Sequence, residues 1–291
     1  MNDTILVIGA TGMLGEPVAR RLQSAGWQVR VLTRSARKGR ARFGETFEVA
    51  EGDVEDPAAL AAAIQGCRGV HINLQGGMDY DLERRGAEAV AQAAARAGVE
   101  RITYLSGASV CAENCWYAGT RAKYQAEAAL QTCGVGYTVF RATYFMETLP
   151  NFLRGNLALL IGKHPHPYDW IAASDYAGMV ARAYATPAAA GKILYVCGPQ
   201  ALSMRQAVDS FRRSVRPEAR LVYVPLWAAS IIARLGKRRE LQAALPFFRY
   251  CSQVKVILSG SPAEANDLLG APETTLEAWS RAYAARTAAA Q

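Results

Sequence analysis

The chain has 291 residues, enough to bury a large core, and its 51% hydrophobic and 20% charged content excludes a disordered or fibrous protein. Its net charge of +8 admits an anionic ligand, but no helix-turn-helix, zinc-finger or RNP-like pattern supports a nucleic-acid partner. The longest apolar stretch outside the expected strands, Leu226 to Leu235, falls short of the ~20 residues that span a bilayer, so no transmembrane segment is expected.

The first apolar run, Ile5 to Ile8, follows Met1 almost at once, without the basic and long apolar regions of a secretory signal. A cytoplasmic chain with reduced thiols is expected. Cys111 and Cys115 form the one close cysteine pair and His164 and His166 the one histidine cluster; neither has further ligands at metal-binding spacing, so no metal is expected.

In chain order, the strand Ile5–Ile8 precedes a helix to Ala25, the strand Val29–Leu32, a basic helix and the strand Phe47–Val49. A helix over 58–64, a strand over 70–74, a helix over 81–97 and a strand over 102–105 follow. Further on come a helix over 117–132, the strand Tyr137–Arg141, a helix over 175–185 and the strand Ile193–Val196. Such alternation predicts an α/β fold with a doubly wound parallel sheet, because parallel strands need crossovers of a dozen residues or more. Gly26, Gly66, Gly98 and Gly134 each follow a helical run, where a left-handed residue ends a helix at least steric cost. After Pro199 the alternation fades into helical segments with one short strand over 220–224. Residues 1–198 are therefore expected to form a Rossmann domain, and 199–291 a smaller, mainly helical substrate or cap domain.

The loop Gly9-Ala10-Thr11-Gly12-Met13-Leu14-Gly15 joins the first strand to the first helix, the setting a dinucleotide fingerprint requires. Glycines permit the tight turn and the close approach of the pyrophosphate, and the helix start offers free N–H groups. A plain strand-to-helix turn would need one glycine, not three. The second strand ends on Thr33-Arg34 where an acidic residue would select NAD; a guanidinium there suits the 2′-phosphate of NADP(H), with Arg37 and Lys38 in support. The alternative for these cations is a solvated helix face, expected of Arg40 and Arg42.

The G-x-x-G-x-x-G spacing resembles that of the short-chain dehydrogenase/reductase superfamily in its extended and atypical members. Asp53-Val54, Arg141 to Met146, Trp170-Ile171 with Asp175-Tyr176-Ala177, and Gly198-Pro199 are similar to that family's later motifs. Among subfamilies the likeness is to NmrA-like proteins, where Lys123 and Glu127 match K-x-x-x-E. The resemblance implies that Asp53 and Val54 contact the adenine, that Leu74 and Ser106 line the cofactor, and that Lys123 reaches the nicotinamide ribose. Asp53 could equally be a turn residue, Glu127 part of a solvated helix face, and Lys123 its i,i+4 ion-pair partner.

Reductases of the superfamily commonly pair a Tyr with a Lys four residues later; here Gly119 holds that Tyr position, and Ala108 stands where the family serine aligns. Tyr117 and Tyr124 are expected to point elsewhere than toward Lys123. Tyr144, Phe145, Met146 and Trp170 fall where the family surrounds the nicotinamide, and are expected to line a substrate pocket, with Lys123, Tyr144 or a bound water supplying the proton. Packing between the two domains would account for the same aromatic residues. The sequence thus points to an NADPH-dependent reductase of a small, largely apolar carbonyl or conjugated substrate. A non-catalytic NADP(H) sensor or scaffold is the alternative, for which Leu226-Trp227, Ile231-Ile232 and Phe247-Phe248 could supply a binding surface. The oligomeric state is not legible.

Overall fold

The computed structural model describes residues 3–77, 79–236 and 239–289. Its first elements are β1 (Thr4–Ile8), α1 (Gly15–Ser24), β2 (Gln28–Thr33), α2 (Ala36–Phe43), β3 (Glu48–Glu51) and α3 (Pro57–Ile64). Next come β4 (Gly69–Ile72), α4 (Asp81–Ala97), β5 (Arg101–Gly107), α5 (Ala118–Thr132) and β6 (Gly136–Ala142). Three strands, β7 (Leu153–Arg154), β8 (Leu157–Ile161) and β9 (Pro167–Trp170), precede α6 (Ala173–Ala185) and β10 (Lys192–Val196). The chain continues through β11 (Gln200–Ser203), α7 (Met204–Val215), β12 (Arg220–Val224) and α8 (Leu226–Leu235). It ends in α9 (Arg239–Gln253), α10 (Ala263–Leu269) and α11 (Leu276–Ala289).

Two compact units form. The first takes the chain up to Ala142, then Ala173–Val196 and Ser259–Ala271; the second takes Thr143–Ala172, Cys197–Leu258 and the chain from Pro272 onward. The first unit is a Rossmann fold on a seven-stranded parallel sheet of order β10-β6-β5-β4-β1-β2-β3. Every residue of β1 and of β4 is buried, as expected of strands with helices on both faces. Val18, Ala19 and Leu22 bury one stripe of α1, while Ala87, Val90, Ala91 and Ala94 do so for α4. All four helix-ending glycines adopt positive φ, from +69° at Gly98 to +91° at Gly26.

The second unit is less helical than the sequence suggests. Strand β8 pairs in parallel with β12 and antiparallel with β7, and β9 pairs antiparallel with β11. Its core gathers Met146, Leu160, Tyr168, Trp170, Phe211 and Trp279. A capping box starts α7, in which Ser203 Oγ accepts from Gln206 N and Gln206 Oε1 accepts from Ser203 N. The chain crosses between the units at 142/143, 172/173, 196/197, 258/259 and 271/272, so that 143–172 belongs to the second unit and 259–271 to the first. The physical reason is that β8 finds its partner β12 some sixty residues later, a pairing no local pattern announces. Among the described residues no helix is long and apolar enough to cross a membrane.

One buried histidine makes the first unit acid-sensitive. His71 on β4 is fully buried, with Nδ1 2.8 Å from Thr103 Oγ1 and Nε2 unpartnered among the described residues. Burial pushes its pKa down to about 3. The unfolded chain takes up this proton near the ordinary histidine value of about 6.5 and the native chain does not, so stability falls as pH drops from there toward 3. We expect this group to cost up to about 1.4 kcal/mol per pH unit over that window. Melting curves between pH 7 and pH 4.5 check it: His71→Leu should lose less Tm than the parent across the interval.

Candidate functional site

Strand β1 lies between β2 and β4, so the chain leaves this strand at the point where strand order reverses. Ligands of open α/β sheets bind at the carboxyl ends of strands at such a point. The three loop glycines have different neighbours there. Gly9 has φ +78°, and a Cβ on it would stand 1.9 Å from the Asn73 carbonyl oxygen after β4. A Cβ on Gly15 would stand 2.2 Å from the Gly9 carbonyl oxygen. Both glycines are therefore required by the fold itself.

Gly12 is different. Its Cβ would meet only the Gly9 carbonyl oxygen, at 3.2 Å, and Thr11, Gly12 and Met13 are exposed. Helix α1 starts behind them with no side-chain cap at Leu14, whereas Ser35, Asp56 and Ser203 cap α2, α3 and α7. An open backbone over an uncapped helix start fits a pyrophosphate. Glu16, in the first turn, would repel it, but Arg20 and Arg42 hold this carboxylate. Burial raises the Glu16 pKa, and the two guanidinium hydrogen bonds outweigh it, so the group is kept ionised and paired.

The basic residues after β2 divide accordingly. Arg42 is spent on Glu16, while Arg34, Arg37 and Lys38 are exposed and have no ion pair among the described residues. Two of these cations sit in the first turn of α2, the positive end of its dipole, where no acidic residue offsets them. Cations crowded at this end of a helix repel one another, and an anion there would relieve the repulsion. Asp53 forms a turn: its Oδ1 accepts from Glu55 N at 3.1 Å. Val54 is buried, with the half-buried Leu74 packed on the same core. These two apolar side chains meet at Gly86, whose missing Cβ would lie 2.4 Å from Leu74 Cδ1 and 3.5 Å from Val54 Cγ1.

Lys123 and Glu127 are not a pair. Lys123 Nζ is 2.8 Å from Glu83 Oε2 on α4, donates to the Leu105 carbonyl at 3.4 Å and lies over the Tyr104 ring. Glu127 faces the sheet, 1% exposed, and its carboxylate takes hydrogen bonds from Ser106 Oγ (2.5 Å) and from Arg141 Nη2 (2.6 Å) and Nε (3.1 Å). Arg141 also donates to the Tyr195 hydroxyl, 2.6 Å from Ser259 Oγ. Burial acts against the Arg141 charge, but the Glu127 carboxylate beside it prevails and raises the Arg141 pKa. The helix face at Glu127 is thus buried rather than solvated, and Ser106 has its hydroxyl committed to a carboxylate.

Tyr117 packs over Gly119. A Cβ on Gly119 would stand 2.8 Å from Tyr117 Cε1 and 3.4 Å from its hydroxyl, so the phenol fills the space of a residue-119 side chain. Tyr117 precedes α5 with extended φ and ψ, which frees it from helical spacing. In the second unit, Met146 and Trp170 are fully buried and Phe145 is 7% exposed. These three are core residues, with Trp170 Nε1 donating to the Leu202 carbonyl, and of the four only Tyr144 is half-exposed, its ring tilted against Tyr168 and Trp170 at 5.0 and 5.1 Å. His164 and His166 each donate to a main-chain carbonyl, of Ile161 and of Val254.

The model of the NmrA-like family matches residues 1–279. The chain belongs to the NmrA-like family. It is 26% identical to an NAD(P)H azoreductase of Xenophilus azovorans, over 98% of this chain and all of that one. It is 23% identical to a photosystem II assembly factor of Guillardia theta, over 97% and 95% of the two chains. An NADPH-dependent quinone oxidoreductase of Escherichia coli, solved with NADPH, shares its fold with a TM-score of 0.76 at 22% identity, over 96% of this chain and 99% of that one. Within this NmrA-like chain, sequence reasoning missed Glu83, although it keeps phase with the buried stripe Ala87, Val90 and Ala94.

Proposed function

We propose that this NmrA-like protein is an NADPH-dependent reductase of a small, largely apolar carbonyl or conjugated acceptor. The observation that carries the reading is the open Gly12 backbone at the uncapped start of α1, next to three basic residues without carboxylate partners. The N–H groups following Gly12 hold the pyrophosphate, and Arg34, aided by Arg37 and Lys38, holds the 2′-phosphate. Bound NADPH supplies a hydride, and the acceptor takes up a proton as well. Glu83 and Leu105 occupy two of the three Lys123 N–H donors and fix the ammonium, leaving one donor for the nicotinamide ribose or the acceptor. The relatives named for azo and quinone reduction support this class of chemistry.

A non-catalytic NADP(H)-binding scaffold is the second reading. It is favoured by the assembly-factor relative and by the apolar face of α8, where Trp227 and Leu235 are 69% and 79% exposed. Titration and turnover separate the two. Fluorescence titration should show NADPH binding tighter than NADH, and Arg34→Ala should weaken NADPH about tenfold or more while leaving NADH unchanged, the size expected for a lost charge-assisted hydrogen bond. NADPH oxidation against a panel of quinones, azo dyes and enones should then find an acceptor, with Lys123→Met lowering kcat. Binding without oxidation of any acceptor would establish the scaffold, and equal affinity for the two cofactors would remove the role given to Arg34.

A further inference from the structure

The sheet edge that carries the Gly12 loop also carries an aromatic group which no motif explains. Tyr80 precedes α4, and Trp116 and Tyr117 end the loop between β5 and α5, so all three stand at the carboxyl ends of neighbouring parallel strands. The Tyr80 and Tyr117 rings meet edge to face at 5.4 Å, and Trp116 lies 6.5 Å from Tyr117 at 62°. Trp116 is half exposed, and both tyrosines are half-buried. A tryptophan is usually among the more buried side chains of a domain, so one held outward draws notice.

The loop that presents it is firmly tied. Asn114, 1% exposed, donates through Nδ2 to the Ser109 carbonyl at 2.7 Å. Asn114 N reaches the Cys111 carbonyl, Tyr117 N reaches the Asn114 carbonyl, and Val110 is buried beneath. Gly119 completes the arrangement, since any side chain there would collide with the Tyr117 ring. One helical turn beyond Tyr80 on α4 stands Glu83, which fixes Lys123.

We propose that Tyr80, Trp116 and Tyr117 form an acceptor subsite for a flat, conjugated molecule of two or more rings, stacked beside the Lys123–Glu83 pair. The proposal rests on the reductase reading and names its substrate class. The three rings meet edge to face and tilted, the arrangement aromatic pairs favour, and the half-exposed Trp116 adds ring surface that a planar guest can cover. Conjugation in the guest matches the hydride acceptor that the reading requires. Of the expected pocket, Phe145, Met146 and Trp170 are spent in a core and only Tyr144 keeps an exposed side.

The test uses the full chain loaded with NADPH or NADP and two acceptors, menadione as the planar one and butane-2,3-dione as the small aliphatic one. Trp116→Ala should raise KM for menadione about fivefold, the effect of one lost aromatic pair, leave KM for butane-2,3-dione and the affinity for NADPH unchanged, and be rescued by Trp116→Phe. Gly119→Ala, which displaces Tyr117 without removing a ring, should act in the same direction. Equal effects on both acceptors, or none on menadione, would overturn the subsite. A binding measurement keeps this distinct from failure of the reductase reading: 4-hydroxyazobenzene should quench tryptophan fluorescence of the NADP-loaded protein, and Trp116→Phe should lose most of that quench. Quenching without turnover of any acceptor would retain the subsite and remove the reductase; quenching unchanged in Trp116→Phe would remove the subsite whether or not turnover occurs.

Discussion

Gly12→Ala is expected to raise the NADPH dissociation constant about a hundredfold while leaving Tm nearly unchanged, and Gly9→Ala to do the reverse, leaving little folded protein in which to measure binding. The two substitutions add the same methyl group to the same loop. At Gly12 the added carbon has one neighbour at 3.2 Å, so a shift of a few tenths of an ångström accommodates it. It then stands over the N–H groups that the pyrophosphate must approach. At Gly9 it would lie 1.9 Å from the Asn73 carbonyl oxygen, in a backbone conformation with φ +78° that L residues adopt only at a cost of about 1–2 kcal/mol. Relief would require β1 and β4 to part, and these are fully buried central strands. A loss of about 4 kcal/mol or more follows, a large share of the stability of a typical domain. Thermal melts alongside NADPH titration check both halves, and a strongly destabilised Gly12→Ala would show that this glycine too serves the fold.

Glu127→Ala carries the second large effect, about 3–5 kcal/mol of destabilisation, the usual consequence of breaking a buried ion pair on one side. The carboxylate is almost wholly enclosed, and it answers both Ser106 and Arg141. Its removal leaves the Arg141 guanidinium, 13% exposed, with the Tyr195 hydroxyl and no counter-charge among the described residues. Urea unfolding should show the loss at low and high salt alike, because a buried pair is little screened. The double variant Glu127→Leu with Arg141→Met should recover much of it, since a matched apolar pair leaves no stranded charge. If the single and double variants are equally unstable, packing rather than charge accounts for the cost.

What the sequence discloses follows from the range of the interactions. Helix α4 at 81–97 and strand β12 at 220–224 coincide with the pattern reading, because each is a long or sharply bounded run with a clear period. The Gly12 loop was legible for the same reason: its meaning depends on the strand just before it and the helix just after. Strand β8 was not, because Leu157–Ile161 is a short apolar run whose partner is distant in the chain. The partners of charged residues proved hardest to read. Spacing suggested Lys123 with Glu127, yet their side chains diverge, one to α4 and the other to β6, because each serves a different neighbour of α5. Tyr117 escaped helical spacing by standing just before the helix begins.

The path of the chain between its two units sets an order for synthesis. Six segments alternate between the units, and the last contribution to the first unit, 259–271, is made only after residues 197–258 of the second have been translated. That segment is built in, not appended: Gly260 lies against the Tyr195 ring, where a Cβ would stand 2.1 Å from Cε2, and Arg182 Nε donates to the Leu269 carbonyl. A nascent chain emerging from the ribosome can therefore form β1 to β6 early, but it must hold the Tyr195 edge unfinished until residues 259–271 have been added. No single cut of the gene yields either unit intact, and a fragment ending at Val196 would expose the edge that residues 259–271 cover.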